Sequence, residues 1–122
     1  MTVGDVISRT LMTADSTTPL QSAAAKMAER GTGAILICSN DALVGILTER
    51  DVLRAVAQGG VEGTSAAAWM TRDPETVPPD EPVASAAGLM LRGGYRHLPV
   101  LEHGKPIGIV SIRDLMRVVI DE

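Results

Sequence analysis

Two stretches of this chain place a hydroxyl residue and a carboxylate three positions apart, each directly after an apolar run. They are Gly45-Ile46-Leu47-Thr48-Glu49-Arg50-Asp51 and Gly108-Ile109-Val110-Ser111-Ile112-Arg113-Asp114. At the start of a helix such a pair can do two kinds of chemistry. The carboxylate can accept hydrogen bonds from a ligand's hydroxyls, in a place where free N–H groups and the helix dipole favour oxygen-rich or anionic groups. Alternatively the two side chains can close a capping box, each satisfying a backbone N–H of the first turn. The spacing alone allows both, and one residue can serve both. One such junction is ordinary; two at a fixed offset of 63 residues (108 − 45) need an explanation.

The other reactive side chains are few. Tyr95-Arg96-His97 offers a ring and two cationic groups at a strand opening, suited to a base or ribose and to phosphate, or simply a solvated charged corner. Cys38 closes an apolar strand and reads as a buried structural cysteine, while His103 falls in a polar turn, so the two histidines and the cysteine form neither a metal site nor a nucleophilic pair. A constellation of nucleophile, base and orienting group is not apparent, and the chain reads as a non-enzyme.

Displacing the chain on itself by 63 residues aligns 3–59 with 66–122 without a gap and gives thirteen identities in 57 pairs, an internal duplication. Thr13/Thr76, Pro19/Pro82, Met27/Met90, Gly31/Gly94, Asp51/Asp114 and Arg54/Arg117 are among them. Each repeat begins with an extended piece around Thr13 or Thr76. A helix follows, opening near Thr17 or Asp80 with Pro19 or Pro82 in its first turn. Leu20, Ala23, Ala24 and Met27, like Val83, Ala86, Ala87 and Met90, make one apolar stripe that ends at Gly31 or Gly93-Gly94. Two strands come next, AILIC and LVGIL about the turn SNDA, or HLPVL and PIGIV about EHGK. A second amphipathic helix starts near Glu49 or Ile112.

The expected organisation is a first repeat at 1–59, a connecting loop at 60–65 and a second repeat at 66–122. Repeats of about 60 residues bury little surface alone, so two pseudo-symmetric halves sharing one core are expected. With no Phe, one Trp and one Tyr, that core is aliphatic, and the six Met are packing material. Trp69 falls in the connecting region, where it covers either the core or a dimer contact. A formal net charge of −4 without a basic cluster argues against nucleic acid. No apolar stretch approaches the roughly 20 residues of a membrane span, and no signal peptide is evident. A single cysteine excludes an internal disulfide, and the chain reads as cytoplasmic.

Carried by MTRDPETVPPDEPVASAAGLM, GGYRHLPVLEHGKPIGIVSIRDL and, more loosely, ISRTLMTADSTTPLQSAAAKM with GAILICSNDALVGILTERDVL, nearly the whole sequence resembles the tandem cystathionine-β-synthase (CBS) domain pair, or Bateman module. The resemblance implies an α/β (α+β) fold of two βαββα repeats with two clefts that hold adenosine derivatives: AMP, ADP, ATP, NAD or S-adenosylmethionine. It implies that each aspartate accepts from ribose hydroxyls, and that each cleft draws its extended segment from one half and its aspartate motif from the other. One cleft would combine Thr76, Val77, Pro78, Tyr95, Arg96, His97 and Pro99 with Thr48, Arg50 and Asp51. The second, weaker cleft would combine Thr13, Ala14, Asp15, Thr32, Gly33, Ala34 and Leu36 with Ser111, Arg113 and Asp114. Gly33-Ala34 stand there where the first cleft has Arg96-His97, and Asp15 adds an acid, so phosphate should be held poorly.

No cofactor is required on this reading beyond the adenosine ligand. A homodimer is expected through Val52, Val56, Leu115, Val118 and Val119 of the second helices, and regulation is expected to pass by contact to an effector protein. The alternative is a dimerisation or protein-interaction module with vestigial clefts.

Overall fold

A computed structural model describes residues 1–7 and 11–121, apart from the side chains of Val119 and Asp121. Arg9, one of the duplicated identities, and the side chain of Val119 lie outside the described residues. The chain forms two compact units, Met12–Pro74 and Met1–Leu11 with Glu75–Glu122.

In the unit Met12–Pro74, β1 (Thr13–Asp15) runs parallel to β2 (Ala34–Ser39), which pairs antiparallel with β3 (Ala42–Thr48), and β4 (Thr71–Arg72) adds to β3. Helix α2 (Leu20–Arg30) precedes β2, α3 (Glu49–Ala57) follows β3, and α4 (Ala66–Trp69) is a single turn before β4. Leu20, Ala23 and Met27 of α2 pack with Ile35, Ile37, Leu47, Ala55 and Ala66 in one apolar cluster. Ala34 and Leu36, on the opposite face of β2, are also fully buried, which accounts for the unbroken apolar run of that strand.

In the other unit, β5 (His97–Glu102) and β6 (Lys105–Ser111) form a hairpin, with Val77 bridged to Val100 in the parallel sense. Its helices are α1 (Val3–Val6), α5 (Val83–Gly93) and α6 (Ile112–Asp121). Val3, Ala86, Met90, Leu98, Val100, Val110 and Leu115 form its cluster. Each unit thus has an apolar cluster of its own.

The repeat is visible in fine detail. Gly31 and Gly94 cap α2 and α5 with φ of 65° and 72°, the left-handed region where glycine avoids a Cβ clash. Asn40-Asp41 and His103-Gly104 turn the two hairpins with positive φ at both residues, and both hairpins shift register at matching places, Ile37/Cys38 and Val100/Leu101. Pro19 and Pro82 occupy the cap positions, one step outside the first turn where the sequence reading put them: their φ suits a helix start but their ψ of about 140° is extended.

The leading single-turn helices, α1 and α4, and strand β4 were not foreseen. They follow an exchange. Helix α1 opens the first repeat in sequence yet docks on the second repeat's segment, with Val3 N–H donating to Glu81 O at 2.8 Å and Gly4 N–H to Pro79 O at 2.7 Å. A Cβ on Gly4 would lie 3.0 Å from that same carbonyl oxygen. Its counterpart α4 docks on the first repeat's segment, through Ala66 N–H to Thr18 O at 2.8 Å and Leu20 N–H to Thr64 O at 2.9 Å. Val3 and Ala66, related by the 63-residue offset, are each completely buried.

Candidate functional site

Both strand-to-helix junctions fold as capping boxes. Thr48 caps α3: the Asp51 N–H donates to its Oγ1 at 3.4 Å, while the Thr48 N–H and hydroxyl donate to Asp51 Oδ2 at 2.9 and 3.1 Å. At the second junction Ser111 N–H donates to Asp114 Oδ2 at 2.9 Å and Asp114 N–H to Ser111 Oγ at 3.1 Å. The extended cap residue explains the motif's spacing, since only the third residue of the helix returns over the cap.

Each junction is tied to the opening of the preceding strand. Glu49 N–H donates to Gly33 O at 3.0 Å, and Ala34 is in register with Thr48. Ile112 N–H donates to Arg96 O at 2.9 Å, and His97 is in register with Ser111. Gly33-Ala34 thus flank one helix start and Arg96-His97 the other. Ala34 is buried and Arg96 exposed.

The carboxylates differ in how much of them remains available. Asp51 is 4% exposed, and its second oxygen, Oδ1, accepts from Arg54 Nη1 at 2.8 Å. The Asp114 side chain is 24% exposed, and Arg117 Nη1 stands 3.9 Å from its Oδ1, beyond hydrogen-bond reach.

Among the remaining residues of the predicted sites, Thr13 pairs with Leu36 and Ala14 with Ile37 on neighbouring strands. Asp15 is exposed; its Oδ1 accepts from the Thr17 N–H at 2.9 Å and hydroxyl at 2.8 Å, and the backbone bond first, then the hydroxyl, holds its pKa below the ordinary carboxylate value. Thr32 donates its hydroxyl to Ala34 O at 3.1 Å. Val77 exchanges backbone bonds with Pro99 and Leu101 at 3.1 and 3.0 Å, which brings Thr76-Val77-Pro78 beside the buried Pro99. Tyr95 is half-buried against its unit's apolar cluster, and its hydroxyl donates to Glu75 Oε1 at 3.4 Å. Arg50 and Arg113 are exposed in the first turns of α3 and α6. Within one unit, then, Thr13–Asp15 and Thr32–Leu36 gather with the Thr48 junction. Thr76–Pro78 and Tyr95–Pro99 gather with the Ser111 junction in the other.

The dimer residues need revision. Leu115 is 3% exposed and belongs to a core cluster, and Val52 packs against the other. The apolar residues that α3 and α6 leave in solvent are Leu53, Val56, Met116 and Ile120. Of the expected stripe, Val56 is exposed, while Val52 and Leu115 face the packed side of their helices. Trp69 packs against the cluster of its own unit and lies 5.8 Å from the Arg54 guanidinium carbon. Cys38 is half-exposed and not fully buried as expected; desolvation, then Asp41 and Asp15, push its thiol pKa up. Among the described residues no cluster of His, Cys, Asp or Glu could hold a metal, and no helix is long and apolar enough to cross a membrane.

The CBS domain family matches this chain twice, at residues 3–58 and 66–121. A 17.7 kDa protein of Acidianus ambivalens is 40% identical over 101 residues, 81% of this chain and 61% of its own length. A protein of Methanopyrus kandleri is 37% identical over 122 residues, with 62% of its length covered, so the chain spans about three fifths of these curated relatives. A CBS-domain protein from Burkholderia ambifaria MC40-6 superposes with a TM-score of 0.94 at 35% identity, covering 100% of this chain and 96% of that one. The CBS domain pair of protein MJ0100, solved with 5′-methylthioadenosine and S-adenosyl-L-methionine, gives 0.93 at 28% identity, covering 99% and 97%.

Proposed function

The chain belongs to the CBS domain family, and on that premise we propose that it is a regulatory ligand-sensing module that binds an adenosine derivative. The observation that carries this reading is the duplicated junction, in which a carboxylate, a hydroxyl and a helix N-terminus converge twice at the same offset. The complex of the MJ0100 pair with two adenosine compounds, at 28% identity, supports the same ligand class. In this reading Asp51 and Asp114 accept from ribose hydroxyls. Thr48 and Arg50 stand beside Asp51 at the first junction, and Ser111 and Arg113 beside Asp114 at the second. The Asp114 junction takes ligands without phosphate. The module performs no catalysis. It works in the cytoplasm as a homodimer through Leu53, Val56, Met116 and Ile120, and reports occupancy to an effector protein by contact.

Calorimetric titration with AMP, ADP, ATP, NAD and S-adenosylmethionine tests the reading. Micromolar binding of at least one compound is expected. Failure of all of them favours a second reading, a ligand-free interaction module, for which the engaged oxygens of Asp51 and the exposed Leu53 and Val56 speak.

A further inference from the structure

Asp51 and Asp114 share a motif but not a neighbourhood, and the residue that separates them is Arg54. Its Nη1 lies 2.8 Å from Asp51 Oδ1, and its guanidinium carbon lies 5.8 Å from the centre of the Trp69 ring. The carboxylate and the indole hold it together, a salt bridge supported by a cation–π contact. Trp69 is itself fixed: it packs against the apolar cluster, and a Cβ on Gly60 would come within 2.6 Å of its ring. The Arg54 side chain is nevertheless 52% exposed, so it can leave without disturbing the core.

The second unit has the same arginine without the aromatic. Arg117 replaces Arg54, but the residue 63 positions before Trp69 is Val6, an aliphatic side chain packed into its own cluster. Arg117 stays at 3.9 Å from Asp114, and that carboxylate keeps five times the fractional exposure of its counterpart, 24% against 5%.

We propose that Arg54, steadied by Trp69, is a built-in competitor for the ligand-accepting oxygen of Asp51, so that a ribosyl ligand lacking phosphate fills the Asp114 site first. The proposal rests on the ribose-acceptor role assigned to the two aspartates above. A vicinal diol approaching Asp51 must displace a charge-assisted hydrogen bond before it gains its own. At Asp114 it meets an oxygen that no cation among the described residues holds at bonding distance. The arginine occurs in both repeats, so the aromatic partner makes the difference.

Titrating the full chain with adenosine and with 5′-methylthioadenosine, neither of which has a phosphate, tests this. Asp114→Asn should remove the tighter binding event, while Asp51→Asn should leave it. In the Asp114→Asn background, Arg54→Gln should strengthen the remaining event by about two- to fivefold. Arg54→Lys, which keeps charge but loses the planar fork, should give a smaller gain. Arg117→Gln in the Asp51→Asn background should change little. Trp69 is the only tryptophan, so its emission should respond to the weaker event alone and should lose that response in Arg54→Gln. Loss of the tighter event in Asp51→Asn, or an unchanged weaker event in Arg54→Gln, overturns the proposal while leaving the ribosyl reading intact. Absence of binding by every variant and by the wild type removes both.

Discussion

The Thr48–Asp51 and Ser111–Asp114 junctions are built to one plan and end in different states. Both aspartates hold the cap N–H at 2.9 Å, yet Asp51 is closed by its arginine and Asp114 is open. The glycine, arginine and aspartate of the motif are the same in both copies. The repeats have also diverged outside the motif, at Trp69 and Val6. Duplication has kept residues that shape the backbone, such as Gly31 and Gly94, while neighbours such as Trp69 and Val6 differ.

The sharpest way to break this comparison is to remove each carboxylate. Asp51→Ala deprives Thr48 and Arg54 of a buried acceptor, and hydrogen bonds involving a charged group contribute roughly 1.5 to 3 kcal/mol. We expect a loss of about 2 to 3 kcal/mol in urea unfolding. Asp114→Ala, which removes a more solvated cap, should cost about 1 kcal/mol. Equal losses would mean that the Arg54 contact adds nothing to the first junction.

Much of this architecture is legible in the sequence because local rules dominate it. The α2 and α5 stripes, the glycine stops and the hairpin turns follow from spacing and φ requirements carried by single residues. The motif also announced both capping boxes, and the repeat offset located them. What could not be read was non-local. Helices α1 and α4 are single turns, too short for a periodic signal, and their placement depends on backbone bonds to Pro79, Glu81, Ser16 and Thr18 far along the chain. Thr2-x-x-Asp5 was the one available clue, since it has the spacing of Thr48-x-x-Asp51 and closes a box of its own. The Arg54–Trp69 contact joins residues fifteen positions apart (69 − 54), which no helical pattern predicts. The expected dimer stripe failed at Leu115 for a similar reason: an apolar face shows which residues can be buried, and packing decides which of them are.

A second test uses positions where the repeats agree, and so sharpens the contrast. Gly31→Ala and Gly94→Ala each force a Cβ into left-handed backbone, at a cost of about 1 kcal/mol. Open space around both glycines leaves φ as the only penalty. The two losses should match within experimental error. If they differ as the aspartates do, the asymmetry is spread through the units and is not seated at the junctions.

A smaller effect isolates the cations. Arg54 is half-exposed, and ion pairs of this kind contribute about 0.2 to 1 kcal/mol. Arg54→Gln should lower stability by about 0.5 kcal/mol at low ionic strength, a deficit that shrinks in molar salt. Arg117→Gln should be neutral, because its 3.9 Å contact carries no hydrogen bond. A larger deficit for Arg117→Gln would reverse the open and closed assignments.

The smallest expected effect concerns Asp15, an acid present in one repeat only; Pro78 stands at the matching position of the other. Its carboxylate accepts from the Thr17 backbone N–H and hydroxyl, and these bonds lower its folded pKa below 3.8. The sign of the pH effect follows: stabilisation is complete above the unfolded value and disappears as pH falls through the lower folded one. Asp15→Asn keeps an acceptor oxygen but no longer titrates. Its deficit relative to wild type should therefore be present at pH 7 and shrink as the pH falls below the ordinary carboxylate range, a trend that unfolding midpoints will reveal. A deficit that persists in acid would mean that the geometry of the turn, and not the charge, carries the contribution.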